Sequence, residues 1–421
     1  MIYILQERYN GKMQVSFSTT GIFDLDRCEK YINYVLDAGF NSIMLDLDVF
    51  YSKYDLEDYG TQKRTYSLQR LRQRFDRFVN QCSDYGICFE SMRAPRLKWD
   101  TKRTDLNELL LQIGKECIAA GEKIGCRNII IQPLFSGIDK LDEWKVNYWF
   151  YLELGRMARD KKIYILLENQ CCNINGHLVR GICSDYTAAT LIDELNDKLG
   201  GEVFGFCLNT GTCSLCKQDM GEMAAELAGR VKAVLIRECD GIHEGSRLPF
   251  TGRDAMGESV DWNRLVRGLR GIEFGGDLIM DAEDTLRGFS PLLRAQIYPV
   301  IRSVAVFLKW QIEMEKQLKK YPSIVLFGAG NMCKNYMEYY GEQYPPLFIC
   351  DNNSKLWGKE IYGVEVKNPE ELKRMPNGIG VFICNACYQE IERQLKDMNV
   401  ENIEYFNDEY VMVNEKNDKL V

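Results

Sequence analysis

Lys162-Ile-Tyr-Ile-Leu-Leu-Glu168-Asn-Gln170 is a nearly unbroken apolar run that delivers a carboxylate, the pattern of a buried parallel strand ending at a site. Phe204-Gly-Phe-Cys-Leu-Asn209, Lys232-Ala-Val-Leu-Ile-Arg237 and Asp277-Leu-Ile-Met-Asp281 end in the same way. Working outward, short β-rich runs at 14–20, 42–48, 87–93, 127–133, 162–168, 202–209, 231–237 and 276–281 alternate with amphipathic stretches at 26–38, 68–85, 106–123, 144–159, 186–198 and 219–230. Several stretches close on glycine, as at Gly39, Gly86 and Gly125, where a left-handed C-cap is needed. Eight such units predict a (β/α)8 TIM barrel over residues 1–290, with a doubly wound open sheet as the competing fold.

One long helix is expected over 291–321, ended by Pro322. A second α/β pattern then begins, giving a small Rossmann-like nucleotide-binding-type domain over 322–409 and a polar tail over 410–421. Its strands are expected at 323–327, 347–350, 379–384 and 402–406.

Composition narrows the function. The 421 residues are 46% apolar, enough for one large and one small domain, and no apolar run approaches the ~20 residues that span a bilayer. The N-terminus is charged where a secretory peptide is greasy, so a cytoplasmic location is expected. A net charge of -8 opposes binding to a phosphate backbone, and the 16 cysteines are expected as free thiols. Only His177 and His243 are available as imidazoles, which restricts metal chemistry.

Strand ends of a barrel face one mouth, so Glu168, Asn209, Arg237 and Asp281 are expected to converge. Period-two alternation puts Glu168 on the face of Leu166 and Tyr164, and Arg237 on that of Leu235 and Ala233; a one-residue slip would turn Glu238 inward instead. Arg93, Arg237 and Arg247 at one mouth favour an anionic ligand, the competing reading being three solvated or ion-paired arginines.

The Glu168-Asn after strand five, Leu208-Asn-Thr-Gly after strand six, Arg247-Leu-Pro, Val260-Asp-Trp262 and the strand-eight carboxylate resemble the xylose isomerase-like barrel superfamily. That group includes tagatose-type sugar epimerases, hydroxypyruvate isomerases and family-two apurinic endonucleases. The resemblance implies a divalent metal held by Glu, Asp, His and Glu at the ends of strands five to eight, with the two glutamates moving protons between adjacent sugar carbons. Glu168, Asn209, Arg237 and Asp281 stand at those positions here. Arg93-Ala-Pro, Gln132-Pro and Thr212 stand where the resemblance implies further histidines.

Arginine has five donors and no acceptor, so it does not ligate a cation. The expectation is therefore a metal-free mouth, with Glu168, Asn209 and Asp281 as the alternative metal set. In this reading Glu168 and Asp281 are the catalytic acid and base and Arg237 stabilises an anionic intermediate. Arg93, Gln132, Asn209 and Arg247 would then orient a sugar, sugar phosphate or sugar acid. The endonuclease branch needs several histidines and is set aside.

The competing function is a non-catalytic carbohydrate- or nucleotide-sensing or scaffold protein. Cys171, Cys172, Cys213, Cys216 and Cys239 follow strands five to seven and could form a zinc or iron-sulfur site, although their spacing fits no standard ligand set.

In the second domain, Gly328-Ala-Gly330 follows a strand and opens a helix, with Asp351 about 20 residues on where a ribose ligand belongs. Cys333 takes the third glycine position. Together with Trp357-Gly-Lys and Val366-Lys-Asn-Pro, these runs look like the small domain appended to bacterial surface-polysaccharide and sugar-tailoring enzymes. That likeness implies a nucleotide or nucleotide-sugar. An interaction module with an empty crevice is the competing reading.

Overall fold

Strands buried on both faces have no reason to alternate polar with apolar residues, and the runs quoted above are such strands. The computed structural model describes residues 13–19, 28–50, 64–95, 99, 102, 104–135, 140–174, 177–183, 187–252, 260–376, 378–385 and 388–406. Eight parallel strands close into a barrel: β1 (Gln14–Ser18), β2 (Ile43–Asp46), β3 (Ser91–Arg93), β4 (Asn128–Ile130), β5 (Tyr164–Glu168), β8 (Phe204–Asn209), β9 (Val231–Ile236) and β10 (Asp277–Met280). The open-sheet alternative is thereby overturned.

Around the barrel lie α1 (Cys28–Asp37), α2 (Arg64–Asp84), α3 (Thr104–Ile124), α4 (Lys140–Asp160), α5 (Thr187–Leu199), α6 (Thr210–Leu215), α7 (Met220–Leu227), α8 (Trp262–Gly271) and α9 (Glu283–Gly288). Each longer helix buries one stripe. In α5 the stripe is Ala188, Leu191, Ile192, Leu195 and Leu199, the spacing of a single helical face. No helix among the described residues is long and apolar enough to cross a membrane.

The strands are shorter than the sequence suggests. Lys162 sits in the left-handed region (φ 55°) and turns the chain, so β5 begins at Tyr164. In the third run, Ile87 N–H still bonds back to Cys82 O and closes the preceding helix; Cys88 makes one isolated bridge to Ser42, and regular pairing begins at Ser91. A hairpin of β6 (Cys171–Ile174) and β7 (His177–Arg180) follows β5 and was not anticipated.

Barrel interiors fill in layers from alternate strands. Followed round the ring with one residue of stagger per strand, the register places Met44, Ile130, Cys207 and Ile279 in one layer. These residues share one buried cluster with Leu166, Ala233 and Leu235. Above them come Ser18, Arg93, Glu168 and Leu235, then Asp46, Gln132, Asn209 and Asp281. The interior changes from apolar to polar over one strand residue.

The chain divides into compact units at 1–309 and 310–421, within helix α10 (Arg294–Lys319). The first part of α10 belongs to the barrel unit: Tyr298 packs on Phe17, and Lys309 Nζ donates to Met13 O at 2.6 Å. Met314 and Leu318 belong to the second unit's core. That unit holds β11 (Ile324–Phe327), α11 (Asn331–Tyr339), β12 (Ile349–Cys350), β13 (Glu360–Ile361), β14 (Val364–Lys367), β15 (Gly380–Ile383), α12 (Tyr388–Asp397) and β16 (Ile403–Tyr405). Its sheet runs β13-β14-β12-β11-β15-β16, parallel except for β13, and the β13–β14 pair was not anticipated. The tail at 410–421 lies outside the described residues.

Below the apolar layers, Asp277 is buried and accepts from Ser16 Oγ at 2.7 Å and Ser91 Oγ at 2.8 Å. Burial pushes its carboxyl up to about 7, against the two hydroxyl donors. Below its ordinary value of about 4 the group is protonated in both states; as pH rises toward 7 only the unfolded chain releases the proton, so stability falls across that window. Asp277→Asn removes this slope. Its urea midpoint is expected to gain on the parent between about pH 4 and about pH 8; parallel pH curves would refute the assignment.

Candidate functional site

Two buried guanidiniums organise the polar layers. Arg93, with no solvent exposure, forks onto Glu168: Nε to Oε2 at 2.9 Å and Nη2 to Oε1 at 2.6 Å. Its Nη1 lies 3.5 Å from Asp46 Oδ2. Burial works against this charge, but Glu168 and Asp46 outweigh it and hold the guanidinium above its usual value. Glu168 Oε1 also accepts Asn209 Nδ2 at 2.7 Å.

Asn209 is the hinge of the arrangement. It is the N-cap of α6, its Oδ1 accepting from Thr212 N–H, and the same Oδ1 accepts Arg237 Nε at 3.0 Å. Arg237 Nη2 reaches Glu244 Oε1 at 3.3 Å, and Nη1 stands 3.9 Å from Asp281 Oδ2. Arg237 therefore points inward, as β9 parity requires. Glu238 points away, accepting from Phe250 N–H and Trp262 Nε1, so the slipped register is excluded. Gly211 makes room for this: a Cβ there would lie 2.8 Å from Arg237 Nε.

Glu168, Asn209, Arg237, Asp281 and Arg93 come together as expected from the strand ends. Arg93 does so as the counterion of Glu168, and its Nε and Nη2 are spent on that carboxylate. Gln132 shares the layer of Asp46, Asn209 and Asp281 and is half-buried. Arg247 pairs with Asp240 at 3.5 Å in the loop beyond β9, and its main chain bridges Glu238.

Sequence reasoning missed four contributors. Asp46 ends the run Ile43-Met-Leu-Asp46, the same signal that marked Glu168. Ser18 ends β1. Asn169 clamps the Asn209 backbone, accepting its N–H at 2.7 Å and donating to its carbonyl at 2.9 Å. Thr210 Oγ1 accepts Arg237 N–H at 2.9 Å and donates to Arg237 O at 2.7 Å. The last two are legible only once β5, β8 and β9 are neighbours.

A divalent cation needs free oxygen acceptors. Here both Glu168 oxygens and Asn209 Oδ1 already accept from guanidinium or amide donors, and no group of three or more His, Cys, Asp or Glu among the described residues could hold a metal. The alternative set Glu168, Asn209 and Asp281 does not fit a cation. Among the described residues, Arg93 Nη1 and Ser18 Oγ, in one layer, are buried without a hydrogen-bond partner.

No family model matches the sequence, and no curated protein does. Solved structures match the barrel. A D-tagatose 3-epimerase-like protein superposes with TM-score 0.51 at 14% identity, covering 72% of this chain and 100% of its own. A D-psicose 3-epimerase crystallised with D-fructose gives 0.50 at 14%, covering 71% and 99%. A D-allulose 3-epimerase from Methylomonas sp. gives 0.50 at 14%, covering 72% and 98%. The barrel shares its fold with sugar epimerases. At such identity the likeness is one of fold, and the site is this chain's own.

In the second unit Gly328 has φ 106°, and a Cβ there would meet Cys384 O at 2.7 Å. Gly330 is the N-cap of α11. Asp351 Oδ2 accepts Ala329 N–H at 2.9 Å, so the carboxylate already occupies one donor of the glycine loop. Cys333, in the third glycine position, is buried in the sheet's core cluster.

Removing one partner of a buried ion pair costs roughly 3–5 kcal/mol, while replacing both by apolar groups is far milder. Arg93→Met is thus expected to lose about that much in urea unfolding, and Arg93→Met with Glu168→Leu to recover most of it. A double variant no more stable than the single one would show that the pair is not the anchor.

Proposed function

We propose that the barrel binds an oxygen-rich carbohydrate, sugar acid or sugar phosphate at its C-terminal mouth without a divalent cation, and acts there as a sensing or scaffold protein. The observation that carries this reading is the Arg93 fork on Glu168. A general base must present a lone pair to its substrate. Glu168 has both oxygens hydrogen-bonded at a position with no solvent exposure. The shared fold supports the ligand class.

Arg237 supports an anionic ligand. Its Nη1 stands 3.9 Å from Asp281 Oδ2, and the Glu244 carboxylate on its Nη2 is 59% exposed. A ligand carboxylate or phosphate could take that carboxylate's place at little desolvation cost.

A second reading is a metal-independent isomerase or epimerase. It is favoured by the 3.9 Å approach of Arg237 to Asp281, which sets a fixed cation beside an acid where an enediolate would need both. Asp281 would move the proton and Arg237 hold the anion. For the second unit we propose a Rossmann-like fold that takes a nucleotide or nucleotide-sugar at Gly328, Gly330 and Asp351. The strand–glycine loop–helix order supports it, and Asp351 would have to release Ala329 N–H to admit a phosphate.

Calorimetry and solvent-deuterium exchange over a panel of ketoses, sugar phosphates and sugar acids separate the two barrel readings. Binding without deuterium at any sugar carbon is expected, with at least a tenfold loss of affinity in Arg237→Gln. Deuterium incorporation abolished in Asp281→Asn would establish the enzyme instead.

A further inference from the structure

We infer that Cys171 and Cys216 form an oxidisable dithiol at the barrel mouth, closed to a disulfide by a small disulfide such as oxidised glutathione. This inference goes beyond the proposed function and does not depend on what the mouth binds. Cys171 opens the hairpin three residues after Glu168 and is half-buried. Cys216 is the buried C-cap of α6, the helix whose N-cap is Asn209. Arg180 adjoins both residues, as the cross-strand neighbour of Cys171 and as a donor to Cys216, and the Cys171 side chain acts on the Cys216 sulfur.

A third side chain completes the arrangement. Arg180 faces Cys171 across the β6–β7 ladder, and its guanidinium donates to the Cys216 carbonyl, which brings its charge near the Cys216 sulfur. One sulfur therefore faces both a second thiol and a fixed cation, the surroundings that favour a thiolate. The Cys171 side chain, helped by Arg180 and opposed by burial, brings the Cys216 thiol down to about 7. Burial pushes Cys117, Cys126, Cys207 and Cys213 the other way, as expected of inert interior thiols.

The exchange balances. The half-exposed Cys171 sulfur gives its proton to the Cys216 thiolate as it attacks one sulfur of the small disulfide, forming a mixed disulfide and expelling one thiolate, which takes up that proton and leaves Cys216 again as thiolate. The Cys216 thiolate then attacks the Cys171 sulfur, forms the Cys171–Cys216 bond and expels the second. The protein loses two electrons and the small disulfide gains them. The new bond ties the hairpin that follows Glu168 to the far end of the helix capped by Asn209.

The test uses the full chain, equilibrated in glutathione buffers from reducing to oxidising, alkylated without unfolding and mapped by peptide mass spectrometry. A Cys171–Cys216 cross-linked peptide is expected that dithiothreitol reverses, while Cys213 and Cys239 stay reduced. Arg180→Gln should slow its formation several-fold at neutral pH, and Cys216→Ser should halt Cys171 at the mixed disulfide. Separate glutathionylation of the two cysteines in the parent chain, pairing of either with another cysteine, or no oxidation across the series would each overturn the inference.

Discussion

The structure of the site depends on one interaction, the fork of Arg93 on Glu168 inside a barrel that excludes water from both. Each ion alone would cost several kcal/mol to desolvate, and a planar two-point contact is the geometry that offsets most of this. Every neighbour then has a fixed place. Asn209 completes the carboxylate, and its remaining oxygen receives Arg237. Arg237 in turn approaches Asp281. A chain of contacts through strand ends β3, β5, β8, β9 and β10 follows from one pair.

Charge explains how three buried carboxylates share these layers. Two guanidiniums carry the same charge as one divalent cation, and they face Asp46, Glu168 and Asp281. A cation leaves open coordination positions for substrate oxygens, whereas guanidiniums consume carboxylate lone pairs and present N–H groups. Both Glu168 oxygens are taken by neighbouring donors, at the strand ends where barrels of this kind carry function.

The second unit shows a similar economy of donors. Its glycine loop presents backbone N–H groups at the start of α11, and Asp351 already holds one of them. Helix α10 contributes to both units, Tyr298 packing with Phe17 in the first and Met314 and Leu318 in the core of the second, so it is structural in each rather than a spacer.

The alternation of apolar runs with amphipathic stretches makes the parallel α/β class legible in the sequence, while the closing of eight strands into a ring is seen in the structure. Alternation along a strand, which has a fixed period, indicates inward faces for Glu168 and Arg237, and the Glu238 contacts remove the slipped register. Asp46 carries the same signal as Glu168, a carboxylate closing an apolar run. Only the tertiary structure decided which charge meets which. Arg93 and Glu168 are 75 residues apart, and nothing local states that the strands bearing them place both side chains in one interior layer. The same holds for Asn169, Thr210 and the Cys171–Cys216 pair: hydrogen bonds between strand ends are set by register and stagger around a closed ring, which exist only once the ring has closed.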